Sequence, residues 1–285
     1  MFNIAINKKT NGCTIIGFLP GIHSPLDLII PEEISGHRVE RIAERAFVRR
    51  SFKRVDIQAK INSINANTFL SCPKLEMCCL PNSIKEIQKR SFFGCKSLRA
   101  IAFSNSTQLD KISREAFHGC SQLESLLNLQ SCRVIEYEAF YDCKNFGCIP
   151  FTFEEAGDRT FLGSGIDSLV ITDKTKKIGA SCFSCCDALE TLIFDRSVPF
   201  NRIASQAFYN CESLKKVLSI GDNSQVKQIG DNAFDACFKL HQFDLVPQNV
   251  IGDYAFRGCN CLKGLKASDK IKRIGKHIPC DVEFI

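Results

Sequence analysis

Apolar positions along the chain recur with a spacing too long for one helix or strand and too regular for a loop. Each unit reads isoleucine, four residues, a small residue with phenylalanine after it, two residues, cysteine, two residues, then Leu-x-x-apolar-x-apolar. The phenylalanines are Phe47, Phe69, Phe92, Phe117, Phe140, Phe161, Phe183, Phe208, Phe234 and Phe256, spaced by 22, 23, 25, 23, 21, 22, 25, 26 and 22 residues. Isoleucine stands five positions earlier in every unit except the sixth, where Ala156 takes the slot. Cysteine stands three positions later in eight of ten units; Arg50 and Ser164 are the exceptions.

A single unit of this kind cannot bury its own apolar side chains, whereas stacked units turn each slot into a continuous column. The Leu-x-x-apolar-x-apolar segment alternates near its end, as a strand does. The isoleucine segment (INSI, IKEI, VKQI) reads as a second brief strand on an opposite wall. The small-Phe segment then turns the chain between walls as a short helical turn. Units of 21 to 26 residues hold a strand, two corners and little more, which leaves no room for a full α-helix per unit.

The expected fold is a mostly β solenoid of about ten coils, with parallel strands on one concave wall and short helical turns. Residues 1–41 form an N-terminal capping coil, 42–270 the ten repeats and 271–285 a truncated C-terminal cap, together one continuous domain. Lys144-Asn145-Phe146-Gly147-Cys148 departs from the leucine pattern, and the sixth unit lacks both isoleucine and cysteine. A local distortion is expected there. An irregular end is expected where Pro279 occupies the phenylalanine slot.

Units such as INANTFLSCPKLEMCCLP (64–81), IQKRSFFGCKSLRAIAF (87–103) and IASQAFYNCESLKKV (203–217) resemble the BspA-like, or treponemal-type, leucine-rich repeat family. The likeness runs from about Thr14 to Gly275. It implies a right-handed leucine-rich repeat solenoid that binds protein, in several relatives as an adhesin at a microbial or protist surface.

Within each strand the first, fourth and sixth positions face inward and the third and fifth outward. The outward residues in mid-chain are small or apolar: Met77, Cys79, Ala100, Ala102, Ser125, Leu127, Ser168, Val170, Thr191 and Ile193. Charged residues flank them, with Arg54 and Asp56 before and Lys216, Asp244 and Lys266 after. An apolar patch on a solvent-facing wall marks an interaction surface. These ten residues are the expected partner-binding site.

Composition sharpens this reading at two points. The 285 residues hold 23 phenylalanines and no tryptophan, and 17 cysteines, as a periodic fold with one favoured ring and one favoured small side chain would. An odd number of cysteines cannot pair completely within the chain, and no export signal is evident at the start. Reduced thiols in a cytoplasm are therefore expected, with a secreted or cell-surface setting as the alternative that the family resemblance implies. In an oxidising setting some stacked cysteines could pair. The net charge of +6 concentrates in 37–54 and 263–276. No aromatic residues interleave with those charges as a nucleic-acid groove requires, so no nucleic acid is expected as partner. No apolar run reaches the roughly 18 residues of a membrane-spanning helix.

Catalytic chemistry finds little support. His118 stands two residues before Cys120, in the manner of a base and its nucleophile, but the thiol recurs in seven other units and the histidine does not. A buried cysteine behaves as a small hydrophobe, and a nucleophile is needed once. Cys182-x-x-Cys185 has the spacing of half a zinc site, yet no second such pair exists and the five histidines show no paired spacing. There is no phosphate loop, serine elbow or H-E-x-x-H. Asn105-Ser106-Thr107 matches a glycosylation acceptor. The expected function is a non-enzymatic scaffold without cofactor or metal that binds a protein partner. The alternative is a redox or metal-handling protein using cysteines outside the repeated slot, among them Cys13, Cys78, Cys79, Cys132, Cys148, Cys185, Cys261 and Cys280.

Overall fold

Parallel strands separated by about two dozen residues need a return path, and this chain supplies it with two walls and a corner in every coil. The structure, a computed structural model, describes residues 1–195, 198–221 and 226–285. The chain divides into two units, residues 1–146 and 147–285.

In the first unit, Phe2–Ile6 pairs antiparallel with Cys13–Phe18, which runs parallel to His37–Ile42. The long wall follows as parallel strands Asp27–Ile30, Arg54–Ile57, Met77–Leu80, Ala100–Ile112 and Ser125–Ile135. The last two are long enough to turn onto the second wall. There Lys111 and Ile112 pair with Glu86 and Ile87 on one side and with Val134 and Ile135 on the other. The isoleucine segments thus form the second wall, as their pattern predicts.

In the second unit the long wall is Ser168–Ile171, Thr191–Asp195, Lys216–Ile220 and Gln242–Phe243. The short wall includes Arg202–Ile203, Gln228–Ile229, Val250–Ile251 and Arg273–Ile274. Residues 144–151, where the leucine pattern fails, carry no strand.

The phenylalanine column forms the spine of each unit. In the first, Phe47, Phe69, Phe92, Phe117 and Phe140 stack at 5.6, 5.3, 5.3 and 5.2 Å between centroids. In the second, Phe161, Phe183, Phe208, Phe234 and Phe256 stack at 5.2, 5.5, 5.3 and 5.5 Å. All ten rings are 0 % exposed. The small residue before each ring lets the next coil's backbone come close. The Phe117 N–H donates to the Ala139 carbonyl at 2.8 Å, and the Phe208 N–H to the Ala233 carbonyl at 2.9 Å.

The repeated cysteine has a polar task as well as an apolar one. Each slot thiol donates to the carbonyl of the phenylalanine one coil earlier: Cys72 to Phe47, Cys95 to Phe69, Cys120 to Phe92 and Cys143 to Phe117 at 3.0–3.2 Å. Cys186, Cys211, Cys237 and Cys259 do the same toward Phe161, Phe183, Phe208 and Phe234 at 3.1–3.3 Å. A side chain here must be small and apolar and still give a buried carbonyl a donor, and cysteine's weak S–H meets both needs.

The corners are turns, not the short helical turns expected from the sequence; no helix occurs among the described residues. The residue two before each phenylalanine is left-handed in every coil, from Arg45 (φ 60) to Tyr254 (φ 59), and so is the residue two after it. Alternating hands aim every second N–H at the next coil. Glu115, Phe117 and Gly119 donate to the carbonyls of Tyr137, Ala139 and Tyr141 at 3.0, 2.8 and 2.8 Å. A helical turn would direct those donors along its own axis and leave the next coil unpaired. The second left-handed position holds Gly94, Gly119, Gly163 and Gly258 in four coils but Ala236 (φ 60) in another. A Cβ in that conformation costs about 1–2 kcal/mol. Ala236→Gly is therefore expected to raise the unfolding free energy by about 0.5–1 kcal/mol once glycine's extra chain entropy is subtracted, as urea titration will measure.

One further row differs between the units. In the first, the side chain after the isoleucine reaches back to cap a backbone N–H: Gln88 accepts from Ala66 at 3.2 Å and Glu136 from Arg114 at 2.9 Å. In the second, that position is glycine at 157, 179, 230, 252 and 275, and where an aspartate follows it, after 157, 230 and 252, that aspartate does the capping. Asp158, Asp231 and Asp253 accept from the N–H groups of Ala180, Asp253 and Lys276 at 2.8, 2.9 and 3.0 Å. A Cβ at Gly252 would lie 2.5 Å from the Asp231 nitrogen, so the aspartate arrangement demands glycine there.

Candidate functional site

The register of the long walls places the expected outward residues in columns. In the first unit, Arg54, Met77, Ala100 and Ser125 are aligned across neighbouring strands, and Asp56, Cys79, Ala102 and Leu127 form the parallel column. In the second unit, Ser168, Thr191 and Lys216 form one column and Val170, Ile193 and Leu218 the other. The intervening Leu126, Leu169 and Leu192 are buried, so the alternation read from the sequence holds in both walls.

Exposure along the first column set is lowest in its middle and high at its ends, where Arg54 and Leu127 are exposed. Ala100 is 8 % exposed, shielded by its neighbours in the sheet, while Leu127 is 44 % exposed. Val170 is 49 % exposed in the second unit. Met77, Cys79, Ala102, Ser125, Thr191 and Ile193 are half-buried and Ser168 is exposed. A guanidinium closes the front of the first patch: Arg54 Nη2 lies 3.7 Å from Met77 Sδ. Burial, then the Asp56 charge, push the Cys79 thiol above its ordinary value, with Arg54 acting the other way. Cys79 is therefore a thiol at neutral pH, a small apolar contact and not a nucleophile.

Two outward residues were missed by a template keyed on phenylalanine. Asp27 pairs with Arg54, and Ile29, 52 % exposed, pairs with Asp56, so the first-unit columns begin one coil earlier. Their signal was the alternation Asp-Leu-Ile-Ile, in which Leu28 and Ile30 are buried.

The candidate chemistry of the cysteines resolves by direction. Cys120 points inward to the Phe92 carbonyl. His118 instead stacks between Phe93 and Tyr141 on the corner, at 4.8 and 4.6 Å, with Nδ1 3.5 Å from Glu138. Thiol and imidazole thus serve different columns. All 17 cysteines are unpaired; 12 are buried and only Cys148 and Cys261 are exposed. Burial pushes the Cys186 thiol up to about 12, against hydrogen bonds from Ser164. Among the described residues no three His, Cys, Asp or Glu side chains converge as a metal site requires.

Two buried carboxylates on the corners are structural. Glu115, whose side chain is 4 % exposed, lies between the guanidiniums of Arg90 and Arg114. Burial opposes its charge, but the two arginines outweigh burial and hold the carboxyl below its usual range. Asp235, 2 % exposed, takes a forked pair from Arg257 at 3.0 and 2.5 Å.

The sequence model described as BspA type Leucine rich repeat region (6 copies) matches residues 29–147 and 149–280. Among solved structures, a leucine rich repeat protein of T. pallidum is 21% identical, with 84% of this chain and 87% of that one covered and a TM-score of 0.47. A leucine rich cell surface protein of Faecalibacterium prausnitzii is 19% identical over 99% and 93% of the two chains, with a TM-score of 0.49. No curated protein matches the chain.

Proposed function

This chain belongs to the BspA-type leucine-rich repeat family, and from that premise we propose that it is a non-catalytic scaffold whose outward strand faces bind another protein. The observation that carries the reading is the pair of aligned apolar runs, Cys79, Ala102 and Leu127 in the first unit and Val170, Ile193 and Leu218 in the second. Side chains exposed side by side on a rigid sheet lose little freedom on contact, which favours their use as a docking face. Charged and polar neighbours such as Asp56 and Lys216 frame the patches as a rim frames an interface core.

We place that face at a cell surface or outside the cell, as an adhesin-type protein, on the strength of the family resemblance. The cytoplasmic expectation rested on the first residues of the chain, and these do not fix a compartment. Labelling of intact cells with a membrane-impermeant amine reagent tests the placement.

The binding reading is tested by presenting wild type and two variants, Leu127→Ser and Val170→Ser with Ile193→Ser, to extracts and surfaces of the source cell. Loss of an apolar anchor is expected to weaken retention of any specific partner about tenfold, ~1.4 kcal/mol. Identical retained proteins and identical oligomeric state for all three would defeat it.

A further inference from the structure

The long wall of the second unit is split near its end. From coil to coil the residue before each strand donates its N–H to its counterpart's carbonyl: Glu190 to Asp167, Lys215 to Glu190 and His241 to Lys215, at 2.8, 2.9 and 3.0 Å. No such bond joins Lys263 to His241. The sheet that begins at Ser168–Ile171 ends with Gln242–Phe243, while Gly264–Ala267 pairs only with Asp281–Phe284. The coils are nevertheless stacked elsewhere. Phe234 and Phe256 lie 5.5 Å apart, and Val250–Ile251 is paired on both sides. The opening coincides with Phe243, whose ring stands edge-on against Phe234 and Phe256 at 5.2 and 5.0 Å. Other coils of this unit place Leu169, Leu192, Val217 or Leu265 in that inward position.

The split is a groove of ≈ 780 Å³ whose lining includes Gln242, Asp244, Gly264, Lys266, Asp281 and Glu283. Two strand edges flank it without pairing with each other. Backbone N–H and C=O groups left in that state seek partners, and an exposed sheet edge is a template for a further strand. Glycine within a strand weakens it and marks places where another backbone comes close. A Cβ built on Gly264 would meet nothing within 4 Å, so the space above it is open. The outward charges are also one-sided. Asp244, Asp281 and Glu283 face the groove with Lys266 the one ammonium among its lining residues. Neither Asp281 nor Glu283 is ion-paired among the described residues.

We infer that this split is a docking slot for one extended strand of a partner protein that carries lysine or arginine at alternate positions. Backbone hydrogen bonds to Gln242–Phe243 and Gly264–Ala267 hold the strand, and the three carboxylates select its outward side chains. The slot shares no residue with the apolar patches that include Leu127 and Val170, so either can fail without the other.

The probe is a peptide of about six residues alternating lysine and valine, a usual strand length. Its controls are the same peptide with glutamate for lysine and a version N-methylated at alternate amides. Wild-type protein is expected to bind the lysine peptide at least about tenfold more tightly than either control. Amide exchange should slow at Phe243 and within 264–266 when it binds, since the Gln242 and Asp244 N–H groups already donate to Lys215 and Val217. Gly264→Val fills the open space and should abolish binding. Asp281→Lys with Glu283→Lys, both at exposed positions, should reverse the preference toward the glutamate peptide even if the valine variant folds poorly. Equal binding of the N-methylated peptide, unchanged preference after charge reversal, or no binding at all overturns the inference. So does a wild-type dimer that Gly264→Val converts to monomer, because the occupant would then be a second copy of this chain.

Discussion

Raising the pH from about 8 to about 10 under reducing conditions should unfold this protein within a narrow interval. Ten buried thiols are pushed above their ordinary value, each by burial foremost: Cys13, Cys78, Cys95, Cys120, Cys132, Cys143, Cys182, Cys186, Cys211 and Cys237. In the folded chain Cys132 and Cys186 keep their protons to about 12, whereas an ordinary thiol ionises near 9. Between those limits the unfolded chain binds fewer protons than the folded one, so stability falls as pH rises. The contribution is whole below about pH 9 and is drained progressively toward 12. Each such thiol costs about 1.4 kcal/mol per pH unit in that window. Several acting together match the ~5–15 kcal/mol of an entire domain within one unit or so. Urea titrations followed by circular dichroism at successive pH values will read the slope. Cys120→Ala with Cys143→Ala should make it shallower by about 1.4 kcal/mol per pH unit per thiol removed, at a fixed cost in stability at neutral pH. A midpoint that does not move between pH 8 and 10 would show that the thiols ionise in place and that the column is not dry.

That behaviour follows from a choice the sequence states openly. Cysteine stands at one slot in eight of ten units, and eight such thiols close on eight phenylalanine carbonyls. The recurrence was legible because stacking turns one environment into many copies, so chemistry demanded once is demanded everywhere. The partner carbonyl was not legible, since no spacing rule links a side chain to a backbone atom in the preceding coil.

The corners show a different limit. Left-handed backbone is ordinarily announced by glycine or asparagine. Here it falls on Arg45, Arg90, Glu115, Gln206 and Tyr254 as readily as on Asn67 and Asn232, and beside those asparagines and Asn210 the four glycines two places after phenylalanine are all that hint at it. Inter-coil hydrogen bonds override local preference, which is why the helical turn was the wrong reading. The columns around Met77, Ala102 and Val170 were legible because period-two alternation survives in both walls. The slot beside Gly264 was not, because the split in the wall coincides with Phe243 wedging between Phe234 of its own coil and Phe256 of the next. Nothing within one repeat records that contact.

The spine carries the second large effect. Phe117 lies 5.3 Å from Phe92 and 5.2 Å from Phe140, tilted by 6° and 18°, with no exposure to solvent. Phe117→Ala removes a buried ring and leaves a cavity that the stacked coils above and below cannot close, because their spacing is fixed by the strands of both walls. The expected loss is about 3–5 kcal/mol from burial and cavity, with the two ring contacts part of it. In a solenoid each coil touches only its neighbours, so the damage also weakens the coupling between the coils on either side. Urea unfolding should therefore shift to lower midpoint and broaden, with the fitted slope reduced as coils begin to unfold separately. Phe238→Ala supplies the comparison: that ring is 46 % exposed and its loss should change stability by only about 0.5 kcal/mol. The same substitution in the second unit, Phe208→Ala, should reproduce the large effect, since its ring stacks at 5.5 and 5.3 Å on Phe183 and Phe234. If Phe117→Ala and Phe238→Ala proved equally mild, the rings would be filling space loosely and the strands alone would be holding the coils in line.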